Sequence, residues 1–134
     1  MNEPSDPIIT HQKINTSLCG APQFVKCGKS QVQLIPTHAM AVDETGLIHG
    51  GFIFGLADYA AMIAVNHPHV VLGASTVKFL KPVRVNDELL ADATETQTTG
   101  KKKIVTVTVS RGEEVVFTGE FTCFVLDKHV LDHS

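Results

Sequence analysis

The chain has 134 residues, of which 43% are hydrophobic and 19% are charged, so it can bury the core of one domain. Its formal net charge of −3 lacks the basic excess of dedicated nucleic-acid-binding proteins, and we therefore expect no nucleic-acid partner. Three irregularly spaced cysteines (Cys19, Cys27 and Cys123) cannot all pair within one chain, which indicates reduced thiols and a cytoplasmic location.

The N-terminal part of the sequence predicts a tail, a short helix and one strand. Residues 1–9 are mostly polar and lack the apolar stretch of a secretory signal, and we interpret them as a flexible tail. Thr10 is a good N-terminal cap for a short helix over residues 10–19. Residues 30–41 alternate apolar and polar side chains as a strand does, and Pro36 places that strand at an edge or a bulge.

A long apolar helix is the main feature of the middle of the chain. Residues 46–66 are almost wholly apolar and predict a helix over residues 51–66, with Pro68 just beyond its end. The apolar run after His49 is too short to span a bilayer, which needs about 20 apolar residues, and it contains Asp58. We therefore predict a buried core helix and no membrane partner.

Strand-like segments fill the rest of the chain. The last three are joined by short turns and predict an antiparallel meander, which can curl around the long helix and bury it on most sides. We predict an α+β architecture with a single domain over residues 10–128 and a C-terminal tail over residues 129–134. The predicted strands cover residues 70–80, 88–98, 102–110 and 114–126.

The long helix carries the first candidate site. The glycines of His49-Gly50-Gly51 leave backbone N–H groups uncovered at the helix start, where they favour a developing oxyanion, although they also suit a simple tight turn. Asp58 follows Gly51 by about two helical turns and so lies on the same face. Because an unpaired buried carboxylate costs several kcal/mol, we expect a raised pKa and a role as general base or nucleophile. A structural aspartate, or one at a subunit interface, is the alternative.

Other polar residues are weaker candidates. Asp43 is either a catalytic partner or a loop residue. Ser75 and Thr76 can hydrogen-bond a catalytic water or satisfy local backbone groups. Lys101 and Lys102 belong to a lysine run that either meets the phosphates of a nucleotide-bearing substrate or forms a solvated face.

The histidines do not form a recognisable metal motif. His67 and His69 flank a proline, but no matching cluster of cysteine, histidine or aspartate accompanies them. We therefore expect a turn or surface role for this pair, no metal site and no cofactor.

Two segments resemble a known family. Residues 46–51 followed by Leu56-Ala57-Asp58 resemble the HGG…LAD signature of hotdog-fold acyl-CoA thioesterases, and the nine-residue spacing from His49 to Asp58 is that of the phenylacetate-degradation branch. Residues 75–82 resemble the T-(I/V)-x-F-L-(R/K)-P strand of the same branch. The order of predicted elements also agrees over residues 10–126.

The resemblance implies a hotdog fold, acyl-CoA as substrate and a role for each candidate residue. Asp58 would activate water or attack the thioester carbonyl, the Gly51 N–H would polarise that carbonyl, and His49 would position the thioester. The lysines at 101–103 would meet the phosphates of CoA. The family builds its site across a dimer interface, which implies at least a homodimer and suggests a homotetramer.

One departure from the family pattern leaves other functions open. Many members carry Asn six residues before the histidine, where this chain has Asp43, and an ionised Asp cannot donate a hydrogen bond. A hotdog-fold enoyl-CoA hydratase or dehydratase is one alternative, although Asp43 and His49 are one residue out of register with an Asp-x4-His pattern. A non-catalytic acyl-CoA sensor is another, but the first 20 residues are too poor in Lys and Arg for a DNA-binding helix-turn-helix.

Overall fold

The computed structural model describes residues 5–132, so the outer parts of both predicted tails, residues 1–4 and 133–134, lie outside the described residues. Within residues 5–132 the chain forms two α-helices, one 3-10 turn and six strands. In chain order these are α1 (Thr16–Cys19), β1 (Ala21–Lys26), β2 (Lys29–Leu34), the 3-10 turn (His38–Met40), α2 (Gly50–Val65), β3 (Val70–Phe79), β4 (Leu89–Thr99), β5 (Lys102–Arg111) and β6 (Glu114–Val125).

The six strands form one antiparallel sheet around α2. Their order is β1-β2-β4-β5-β6-β3, and the predicted meander occupies β4, β5 and β6. The helix contacts all six strands, and most of its apolar side chains are fully buried against the inner face of the sheet. This confirms the predicted α+β hotdog fold. No helix among residues 5–132 is both long enough and apolar enough to cross a membrane.

The first part of the chain departs from the prediction. The short helix begins at Thr16, and its cap is Asn15, whose side chain accepts a hydrogen bond from the Ser17 N–H, so the predicted cap at Thr10 is wrong. The predicted strand over residues 30–41 ends at Leu34, because the chain turns away ahead of Pro36.

The first strand, β1, is not predicted from the sequence, and it pairs with β2 as an edge hairpin. The two residues between these strands, Cys27 and Gly28, have φ of 51° and 80°, as a type I′ turn requires. This turn usually carries Asn or Asp at its first central position. Because Cys27 occupies that position here, the sequence lacks the usual indication of a hairpin.

The segment before α1 is attached to the domain. Residues 5–9, predicted as part of a tail, are held by backbone and side-chain hydrogen bonds. The Asp6 N–H donates to the Val25 carbonyl oxygen at 2.8 Å. Asn66, which ends α2 in a left-handed conformation, accepts from the Ile9 N–H and donates to the Pro7 carbonyl oxygen, both at 2.9 Å.

At the other edge of the sheet, β3 is paired on one side only. It is ten residues long and bonds β6 alone. Residues 73–76 are exposed on both faces of the strand. A long edge strand with free backbone groups and small side chains is a ready surface for pairing with another strand.

Candidate active site

The carboxyl group of Asp58 is the least satisfied polar group in the described part of the chain. It lies in the middle of α2, and its Oδ1 atom is buried without a hydrogen-bond partner. Burial raises the pKa of Asp58 from 3.8 to about 6, because the low-dielectric surroundings disfavour the ionised form. This confirms the raised pKa expected from the sequence, and it is suited to a group that accepts a proton near neutral pH.

The surroundings of Asp58 are apolar or weakly polar. One turn before it, Phe54 packs on Phe121 of β6 with ring centroids 5.5 Å apart. Burial, and then the charge of Asp58, raise the pKa of Cys19 and raise that of Cys123 to about 12. Both thiols therefore stay protonated and unreactive.

The start of α2 is closed by its own capping residue. His49 is the N-cap, and its Nδ1 accepts the Gly51 N–H at 2.7 Å. A Cβ atom at residue 51 would lie 2.8 Å from that Nδ1, so a side chain there would push the capping ring aside. The N–H that the sequence predicts as the donor to a thioester carbonyl is thus held by His49, which is itself exposed and able to turn away.

One face of α2 between its start and Asp58 is open. Gly51, Gly55 and Asp58 stand at positions i, i+4 and i+7, which share a helix face. A Cβ atom added at Gly55 would meet nothing within 4 Å. Gly55 was not among the predicted site residues, although its spacing from Gly51 is a signal that the sequence contains.

An apolar cleft lies beside the helix start. Its volume is about 340 Å³, and Gly50 forms part of its wall. A Cβ atom at Gly50 would lie 3.1 Å from the Phe79 ring, which packs edge-on against Phe117 at 5.1 Å between centroids. The other lining side chains are mainly apolar and include Leu47, Ile53, Leu80 and Val83.

The structure places the other candidates away from this cleft or in local contacts. Asp43 is exposed, and its Oδ1 accepts hydrogen bonds from the backbone N–H and the hydroxyl of Thr45, at 3.0 and 2.6 Å. Ser75 and Thr76 lie on the exposed stretch of β3. Each is therefore accessible, and Asp43 also orders the loop ahead of His49.

The lysines occupy the turn between β4 and β5. Lys101 pairs with Asp127 at 2.6 Å, and Lys102 is exposed at the start of β5. The pair is exposed and contributes little to stability, so Lys101 can exchange Asp127 for another anion.

No cluster of three or more metal-binding side chains exists within residues 5–132. His67 instead accepts the His69 N–H through Nδ1 at 2.9 Å, which is a turn-forming contact.

Comparison with known proteins places this geometry in a family. Residues 45–118 match the thioesterase superfamily. A crystal structure of an uncharacterized protein from Pyrococcus horikoshii is 53% identical, with a TM-score of 0.95 over 97% of this chain and 100% of that one. The chain is also 51% identical over 121 residues, 90% of its length, to a methylthioribose-1-phosphate isomerase of Aquifex aeolicus.

Another relative is the transcription factor FapR of Caldanaerobacter subterraneus, 29% identical over 80% of this chain. The chain spans 26% of the isomerase and 54% of FapR, so the curated relatives contain long segments that it does not match.

Proposed function

Because the chain belongs to the thioesterase superfamily, we propose that it hydrolyses the thioester of a small or medium acyl-CoA, giving a free acid and CoA in the cytoplasm. The observation that carries the proposal is the unpartnered, half-buried Asp58 with a pKa near 6 on the open face of α2. A carboxylate in this state can take a proton from water or attack a carbonyl carbon directly.

In the proposed reaction the Gly51 N–H polarises the thioester carbonyl. His49 positions the thioester and releases that N–H as negative charge develops on the carbonyl oxygen. The close approach at Gly50 and Gly51, where no side chain intervenes, leaves room for the carbonyl oxygen. Asp43 orders the loop that leads to His49 and acts as a further catalytic partner.

The proposed site needs two subunits. Gly51 and Asp58 are seven residues apart on one helix, which is about 10 Å along its axis. A reacting carbonyl must lie about 3 Å from both its donor and its base, so the two residues of one subunit cannot serve one carbonyl. Pairing of two β3 edges into a homodimer would bring Gly51 of one subunit towards Asp58 of the other, and dimers of this kind would assemble into a homotetramer.

The apolar cleft supports the substrate class. A volume of about 340 Å³ lined by apolar side chains suits an uncharged acyl group of short or medium length. Ser75 and Thr76 on β3 would hydrogen-bond the attacking water, and Lys101 and Lys102 would meet the phosphates of CoA.

The likeness to FapR favours a second candidate function. FapR is a transcription factor and 29% identical to this chain, so the second candidate is a non-catalytic domain that binds an acyl-CoA as a signal and releases it unchanged. This candidate differs from the first in one respect: binding is not followed by release of the CoA thiol.

Asp58→Asn tests the proposal. The substitution keeps the shape of the side chain and removes the base, so kcat should fall about 100-fold or more when free thiol is followed over a panel of acyl-CoAs. Asp92→Asn is the matched control, because Asp92 is exposed on β4 and contacts Gln31, and its rate should equal that of the wild type.

Three other outcomes would contradict the assignment. Turnover by Asp58→Asn at the wild-type rate would exclude Asp58 as the base. Acyl-CoA binding by the wild type without thiol release would favour the regulatory function. Loss of enoyl absorbance with an enoyl-CoA would favour a hydratase.

A further inference from the structure

Three distant segments of the chain converge beyond the end of α2. They enclose a pocket of about 260 Å³, which we call the histidine pocket. Its polar lining comes from Thr10 and His11 before α1, from His69 at the start of β3, and from His129 after β6. No other pocket described within residues 5–132 gathers three histidines.

Hydrogen bonds fix all three segments in place. Asn66 ties residues 7–9 to the end of α2, and His11 follows with φ of 53°, a conformation that costs energy in a residue other than glycine. The His69 carbonyl oxygen accepts the Leu126 N–H, which joins the second segment to the third. The fold itself therefore holds the lining of the pocket in position.

Two of the three rings, those of His11 and His129, are set up as hydrogen-bond donors. His129 Nδ1 accepts the Leu131 N–H at 3.0 Å, so in the neutral ring the proton is on Nε2. The Thr10 hydroxyl and His11 Nδ1 share a hydrogen bond of 2.8 Å, and when the hydroxyl donates, His11 also carries its proton on Nε2. Partial desolvation lowers the pKa of His11, although the residue stays exposed.

This proton placement distinguishes between two ligand classes. A metal ion needs an unprotonated ring nitrogen, usually with the other nitrogen donating to a carboxylate or carbonyl. His129 has the reverse arrangement, since its Nδ1 accepts and its Nε2 donates. A ligand with acceptor oxygens fits these donors, and a metal ion does not.

Positive charge lies at the same end of the sheet. Val70, which lines the pocket, pairs with Val125 of β6, and Lys102 of β5 pairs with the adjacent Phe124. Two strand spacings separate β3 from β5, or about 10 Å. Two lysines of the run have acidic partners, Lys101 in Asp127 and Lys103 in Glu95.

From these contacts we infer that the histidine pocket binds a phosphate group through His11 and His129, with His69 in the pocket wall. The site itself depends only on the pocket, whereas its assignment to the phosphates of CoA depends on the proposed function. Antiparallel pairing of two β3 strands about a two-fold axis at Ser75 sets Val71, which also lines the pocket, opposite Phe79 of the second subunit. The pocket of one subunit would then adjoin the acyl cleft of the other.

His129→Asn is the decisive variant, because the Asn side chain can still accept the Leu131 N–H while the distal donor is lost. Calorimetric titration of the full chain would use inorganic phosphate, CoA and pantetheine, which has no phosphate. Loss of one donor should weaken binding of inorganic phosphate and CoA about fivefold to tenfold and leave pantetheine unchanged. His38→Asn is the control, since His38 is exposed on the 3-10 turn outside the pocket, and it should bind as the wild type does.

Unchanged phosphate and CoA affinities in His129→Asn would overturn the inference, as would a wild type that binds neither. Zinc binding that His129→Asn abolishes, with phosphate affinity unaffected, would also overturn it. If phosphate binds through His129 and CoA does not compete with it, the pocket is confirmed as a phosphate site and its ligand is free phosphate, not the phosphates of CoA. His129→Asn could leave the affinities for inorganic phosphate and CoA unchanged while thiol release persists. That result would reject the phosphate site and retain the proposed function.

Discussion

The carboxyl group of Asp58 destabilises the free fold whenever it is ionised. Its pKa rises from 3.8 to about 6 on folding, so the folded state binds the proton more tightly than the unfolded chain does. The stability that the fold gains from binding this proton is fully present below the unfolded pKa of 3.8, and it is lost as the pH rises through about 6. A two-unit shift corresponds to about 3 kcal/mol, which solvent exposure of the half-buried side chain reduces to about 1–2 kcal/mol.

Asp58→Asn should therefore stabilise the protein by about 1–2 kcal/mol at mildly alkaline pH and have little effect in acid. Urea unfolding of both proteins on either side of the pKa measures this difference. The same substitution is expected to lower kcat about 100-fold or more, so stability and activity should change in opposite directions. A destabilised variant at alkaline pH would mean that the Asp58 carboxylate has a partner in the assembled protein.

At the residue scale, the sequence predicts best where one regular element carries the information. The face shared by Gly51 and Asp58 follows from helical periodicity, so their relation could be worked out without a structure. The contacts of Asp43 with Thr45 and of Lys101 with Asp127 depend on loop geometry that periodicity does not encode. Their proposed catalytic and binding roles stay predictions.

At the scale of elements, the long helix and the four strands after it were predicted within a few residues, because each has strong periodicity and clear turn residues. The hairpin of β1 and β2 was not, because its turn residue Cys27 has no known preference for a left-handed conformation. The histidine pocket also could not be predicted from the sequence, because its three segments meet only after the sheet has closed around α2.

The open face of α2 gives a prediction for Gly55. Gly55→Leu would place a side chain in the space beside Asp58, so kcat/KM should fall at least about tenfold as the substrate path is blocked. Stability should hold or improve slightly, because leucine favours a helix by up to about 1 kcal/mol over glycine.

Gly119→Ala is the contrasting variant. Its Cβ would lie 2.8 Å from atoms of both Val77 and Phe121, and such overpacking costs about 1–3 kcal/mol. Thermal melting and steady-state kinetics separate the two effects. Full activity in Gly55→Leu would show that the substrate does not pass along this face.

At the scale of the whole molecule, activity should depend on association through β3. Ala74 lies in the exposed stretch, near the centre of the expected pairing of two β3 strands. Ala74→Lys would bring like charges together across the two-fold axis, so the dimer should dissociate and hydrolysis should fall with it. Light scattering after size exclusion, combined with the thiol assay, measures both effects.

Thr94→Lys is the control for this experiment, because Thr94 is equally exposed on a strand but belongs to β4 in the interior of the sheet. It should keep the wild-type mass and rate. An Ala74→Lys variant that stays dimeric and active would place the subunit interface elsewhere.

The hydrogen bond from the Gly51 N–H to His49 has a consequence for the timing of the proposed catalysis. An imidazole nitrogen is a better acceptor than the carbonyl oxygen of a thioester, so a bound substrate gains little by displacing it. An oxyanion is a better acceptor than either, and the exchange becomes favourable as negative charge develops. The histidine thus keeps the donor from the ground state and releases it to the transition state, so this donor contributes to transition-state stabilisation without tightening substrate binding.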